Sequence, residues 1–148
     1  MRIAHVLILL LTALQSNLAN AQTQVWVDAS AEDPVGRQLA FELREGIRRS
    51  AAMNLADRAQ DGRIAVKLVT LDPDKSSGGG NRTIYSAVWT MQTFHQVPVE
   101  MFLANYVGLC GLQRTSSCAQ GLVVITDEQV TDLRKMLKDA SDSQRRAK

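Results

Sequence analysis

The apolar positions of this chain change their spacing from segment to segment, and each spacing predicts an element. Gln24-Val25-Trp26-Val27-Asp28 alternates over the length of a short strand. Ser30 and Asp33 are helix-capping residues, and Pro34 suits a first helical turn. Val35, Leu39, Leu43 and Ile47 then recur at every fourth position, with Gly36 and Ala40 beside them. Arg37, Glu42, Arg44, Glu45, Arg48 and Arg49 fall mostly on the other side, so this is an amphipathic helix that fades near Ser50 to Ala52. Met53 to Asp57 reads as a short extended piece.

After the Asp61-Gly62 turn, Arg63 to Leu71 alternates around β-branched residues until Asp72-Pro73 ends it. Ser76 to Asn81 holds three consecutive glycines and is a loop. Thr83 to Thr93 is a second long strand, with Tyr85, Ala87, Trp89 and Met91 on one face. Phe94 to Pro98 is a turn, and Val99 to Val107 returns as the other arm of an antiparallel hairpin. Gly108 to Ser117 is expected as a loop between two cysteines. Leu122 to Ile125 alone fits a buried strand, yet Ala119, Leu122, Val123, Thr126, Val130, Leu133 and Leu137 keep helical spacing. One helix from about Ser117 to Lys138 is expected. The alternative starts at Thr126, where Gln129 completes a capping box. This order predicts an α+β fold: a mostly antiparallel sheet of about four to five strands with two helices packed on one face.

The first segment changes the picture. Arg2, the apolar run Val6 to Leu14 and the small residues Ala19 and Ala21 make a secretory signal peptide, with cleavage after Ala21. Its core is shorter than the roughly 20 residues a bilayer span needs, and no later segment is apolar enough to span. The expected organisation is a signal peptide over 1–21, one domain over 22–138 and a disordered basic tail over 139–148. The formal charge of +2 is unevenly spread: ten Lys/Arg against thirteen Asp/Glu in 22–133, then six against two in 134–148. No basic cluster on the body suits nucleic acid. Export to the periplasm or medium puts Cys110 and Cys118, eight positions apart, in an oxidising compartment, where they are expected to pair. Such a ring is worth roughly 2.5 kcal/mol.

Catalytic patterns are sparse. His95 is the sole histidine after Ala21 and sits in an expected turn without a nucleophile elbow nearby. Glu42 and Glu45 read as exposed helix charges. The loop from Asp72 departs from a calcium-binding loop at Ser77 and Thr83, and no zinc set or phosphate loop is present, so no cofactor or metal is expected. Asn81-Arg82-Thr83 fits a glycosylation sequon. The ring between the cysteines carries Gln113 and Arg114 near its middle. It is either a staple from strand to helix or a constrained contact loop for a partner.

Gly46-Ile47-Arg48-Arg49-Ser50 leading into Met53-Asn54-Leu55-Ala56-Asp57, with the strand Ile64 to Leu71 after it, resembles small periplasmic α/β domains. These are the amino-terminal domain of the TolB translocation proteins and the LpoB-type activators of penicillin-binding proteins. The resemblance spans about the first half of the exported chain. It implies a domain that binds partner proteins rather than a catalyst, and it carries over no functional residue. The expected function is an exported, non-enzymatic interaction module, an envelope accessory or an inhibitor or immunity-type protein, with a protein of the cell envelope as partner. The alternatives are a small-ligand carrier with a pocket near Trp89 or Tyr106, or an enzyme with an unrecognised site. A flat apolar patch beside the disulfide would favour the binder, and a cleft with a perturbed carboxylate the enzyme. The sequence leaves the oligomeric state open.

Overall fold

Strand β1, Thr23–Ser30, alternates as its sequence does: Val25 and Val27 enter the core, and Trp26 and Asp28 take the opposite face. This is a computed structural model, and it describes residues 22–75, 79–94 and 98–146. The expected signal segment, Ser76 to Gly78 and His95 lie outside the described residues. Helix α1, Pro34–Arg48, starts where Asp33 caps it and buries Val35, Leu39, Leu43 and Ile47. Strands β2, Met53–Leu55, and β3, Ile64–Leu71, follow, separated by a single turn of 3-10 helix at Ala59–Asp61. Strands β4, Arg82–Phe94, and β5, Pro98–Gly111, form the long hairpin, and a 3-10 turn at Leu112–Arg114 leads into helix α2, Thr115–Arg146.

The five strands lie in the order β2-β1-β3-β4-β5. The fold class is the expected α+β, but the sheet is mixed. β1 pairs in parallel with β2 and β3, whereas β3-β4 and β4-β5 are antiparallel. The parallel half arises because α1 and the 56–63 connection each carry the chain back before the next strand, as parallel neighbours require.

Both helices cover one face of the sheet. Ile64, Val66, Leu68, Tyr85, Ala87 and Trp89 meet Leu39, Leu43, Ile47, Ala119, Leu122 and Val130 there. At Gly46 the two helices touch so closely that an added Cβ would lie 2.5 Å from Val123 Cγ2. Trp89 has no exposed surface, and its indole N–H donates to Thr126 Oγ1 at 2.9 Å.

Two sequence expectations are corrected, and one alternative is decided. The segment 108–111 is not loop but the end of β5, because Thr83 to Arg82 supplies partners for Cys110 and Gly111. The final helix is the expected single one, starting at Thr115, two residues before Ser117. The alternative start at Thr126 falls away, since the Thr126 hydroxyl donates to Leu122 O at 2.7 Å inside a continuous helix instead of capping a new one. Residues 139–146, expected as a disordered tail, continue the helix, and Ser141 and Ser143 return hydrogen bonds to Lys138 O and Asp139 O.

Candidate interaction face

The face of the sheet turned away from the helices carries an apolar patch. Strand register builds it in rows. Leu71, Ile84 and Leu109 stand side by side across β3, β4 and β5, and Val69, Ser86 and Val107 form the next row. Four of these side chains are more than half exposed: Val69 at 56%, Leu71 and Val107 at 62% and Leu109 at 59%. Phe102 is also exposed at the far end of β5. Polar groups bound the patch. Lys67 Nζ donates to Glu100 Oε2 at 2.6 Å, and Gln92 Nε2 to Glu100 Oε1 at 2.9 Å. Those two donors hold the Glu100 carboxyl below its ordinary range. At the opposite corner Arg82 forks onto Asp74, with Nη2 to Oδ1 at 2.8 Å.

The disulfide lies on the other side of the sheet from this patch, among the helix-covered residues. Cys110 and Cys118 are bonded, with Cα atoms 6.2 Å apart. Cys110 is buried, and its neighbour Leu109 points out to the patch. The bond therefore joins the end of β5 to the first turn of α2. The intervening residues are not a free ring but a 3-10 turn, on which Gln113 and Arg114 are exposed.

A second polar cluster lies at the N-terminus of α1. Asp33 Oδ1 accepts from Gly36 N–H at 2.7 Å, and Oδ2 accepts from Thr70 at 2.7 Å and Thr83 at 3.0 Å. Burial works against the carboxylate, but these three donors outweigh it and hold Asp33 below the usual carboxylate range. Gly36 is needed because a Cβ there would fall 2.0 Å from Thr70 Oγ1. Asp33 borders a cavity of about 190 Å³ with Glu32, Pro34, Thr70, Leu71, Asp72 and Lys75. An acid with its oxygens already occupied and its proton affinity lowered suits a structural tie between α1, β3 and β4. It is a poor general base.

The remaining candidates are distributed. Glu42 and Glu45 line the outer side of α1, where Glu45 pairs with Arg48. Asp72 accepts from the Asp74 N–H at 2.8 Å, so the aspartates of that loop order their own turn. Among the described residues no three metal-ligating side chains gather at one point. Trp89 is a core anchor, while Tyr106 is exposed and stacks tilted against Tyr85 at 6.1 Å. The open-face patch was not singled out from the sequence. Its signal is there, in apolar residues at both parities of Ile64 to Leu71 and Val99 to Leu109. Such runs belong to strands covered on two sides, and here the helices cover only one.

No family model matches the chain, and no curated protein matches it in sequence. Among solved structures it is similar to the rare lipoprotein B from Shewanella oneidensis, at 13% identity, over 84% of this chain and 98% of that one, with a TM-score of 0.23. At that score the likeness is loose and carries no shared role, and the family resemblance of residues 46–71 remains a resemblance.

Proposed function

We propose that this chain is an exported, non-enzymatic protein-interaction module whose open sheet face receives a partner protein of the cell envelope. The observation that carries the reading is the exposed apolar patch of Val69, Leu71, Ile84, Val107 and Leu109 on the face that neither helix covers. Isolated apolar residues on a surface are ordinary, but a contiguous patch rimmed by ion pairs is how an interaction site presents itself. Export is supported by the disulfide, which persists in oxidising compartments, and by the signal-like first segment. Among the described residues no helix is long and apolar enough to cross a membrane.

The experiment places a photo-crosslinking residue at Leu71 of the exported protein in its own envelope. A discrete protein adduct is expected from position 71 and none from Met136, an apolar position on α2 that is also more than half exposed. The adduct is expected to vanish in a Leu71→Lys/Ile84→Lys double variant that melts normally. Equal labelling from both positions would remove the reading.

A further inference from the structure

The two edges of the sheet are built differently. β2 ends one side after 3 residues, a common way of blunting an edge. β5 ends the other side with 14 residues, against a usual strand of about five or six. Which of its backbone groups are free follows from the register. Leu112 N–H donates to Asn81 O at 2.8 Å, and positions 112 and 81 are directly opposite when the β4-β5 register is continued. Hydrogen-bonded pairs alternate along an antiparallel ladder. Cys110, Gly108 and Tyr106 therefore bond to Thr83, Tyr85 and Ala87. Asn105, Val107, Leu109 and Gly111 turn their N–H and C=O outward. The other strand boundary agrees. Gln92 N–H donates to Arg63 O at 2.9 Å, which commits the even residues of β4 to β3 and leaves the odd ones for β5.

The usual protections of an edge are missing from this stretch. Between Met101 and Gly111 there is no charged residue and no proline. The register irregularity lies just before 105–111: Trp89 pairs with Ala104 and Thr90 with Phe102, which leaves Leu103 as the extra residue, and 105–111 itself runs in unbroken register. The residues with free backbone groups also include Val107 and Leu109, whose side chains lie on the open apolar face.

We propose that β5 is a self-association edge: two copies of this chain pair their β5 strands antiparallel about a two-fold axis near Val107, giving one continuous ten-stranded sheet. A second copy is the occupant that fits best, for two reasons. Outward groups at odd positions on both sides are self-complementary, so Val107 meets Val107 and Asn105 meets Leu109 of the partner subunit as hydrogen-bonded pairs. The ends complement as well. Antiparallel pairing brings the Glu100 end of one β5 toward the Arg114 end of the other, and no like charges oppose one another between them. Parallel pairing would set each end against its own charge. The joined sheet also makes the apolar patches of the two copies continuous. This goes beyond the partner-binding reading and does not depend on it, because the edge acts through the backbone of 105–111 and the patch through side chains, of which Leu71 and Ile84 lie off β5 and report on the patch alone.

Sedimentation of the exported, oxidised protein over a concentration series tests the proposal, together with residue-resolved amide exchange at low and high concentration. The mass is expected to double, and the Val107 and Leu109 amides are expected to exchange more slowly as it does. Leu109→Pro removes an outward N–H and no bond to β4, so it is expected to keep the fold and lose the dimer. Leu71→Lys/Ile84→Lys is expected to keep the dimer. A protein that stays monomeric at its highest soluble concentration overturns the proposal. So does a dimer that survives Leu109→Pro, or one whose edge amides exchange as fast as in the monomer; the wild-type exchange readout stands even if the proline variant fails to fold.

Discussion

A buried carboxylate can tie several elements together when its acceptor positions are shared out, and Asp33 divides them between Gly36 on one oxygen and Thr70 and Thr83 on the other. Removing it leaves a bare helix end and takes the acceptor from the buried Thr70 hydroxyl, while Thr83 Oγ1 keeps Leu71 O and Ile84 O within reach, so Asp33→Ala is expected to cost about 2 kcal/mol in urea unfolding. The pH dependence has a definite sign. The folded carboxyl titrates below its ordinary value. Its contribution is therefore complete above about pH 4, the unfolded range, and is lost as pH falls through the folded value. Acid unfolding of Asp33→Ala is expected to be less steep in that window than wild type, and identical slopes would discount the tie. Gly36 gives the companion test. An alanine in an open helix position gains up to about 1 kcal/mol over glycine. At Gly36 the new Cβ meets Thr70 Oγ1 and Asp33, so Gly36→Ala is expected to destabilise by about 1 to 3 kcal/mol instead.

At the scale of elements, two of the ties between α2 and the sheet can be tested separately. One is the disulfide, which fixes its first turn to the end of β5. Cys110→Ser/Cys118→Ser is expected to lower stability by about 2 to 3 kcal/mol, with amide exchange rising first around Leu112 to Thr115. The other is the Trp89–Thr126 hydrogen bond. Thr126→Val leaves a buried indole N–H without an acceptor and is expected to cost about 1 to 3 kcal/mol. Arg114→Ala in the oxidised protein is expected to leave the melting temperature unchanged, as for most exposed substitutions. Any weakening of association by that variant would therefore report contact rather than stability.

For the whole molecule the expected mature form begins at Gln22, and mass spectrometry of the exported protein checks it: an intact Met1 on membrane-retained protein would defeat the export reading. The helix-covered half of the fold was legible in the sequence. Val35, Leu39, Leu43 and Ile47 announced α1, and Tyr85, Ala87, Trp89 and Met91 announced the core face of β4. The open face was harder to read, because an apolar residue at either parity looks buried until the number of covering layers is known. Leu71 and Leu68 are the same residue type three positions apart on β3, one exposed and one fully buried. Only the placement of both helices on one side tells them apart.

Periodicity, capping residues and a close cysteine pair are local properties, so the sequence by itself determined the order of elements, the α+β class and the pairing of Cys110 with Cys118. The ends of those elements depended on neighbours distant in the chain. Thr126 is a plausible cap until Trp89 reaches its hydroxyl, and Cys110 is a loop residue until Thr83 pairs with it. Strand direction was likewise a tertiary decision, since nothing in the alternation of β1 distinguishes a parallel from an antiparallel neighbour. The open patch and the free edge of β5 belong to that second class. A sheet's exposed face and its unpaired backbone exist only once the other strands and both helices have taken their places.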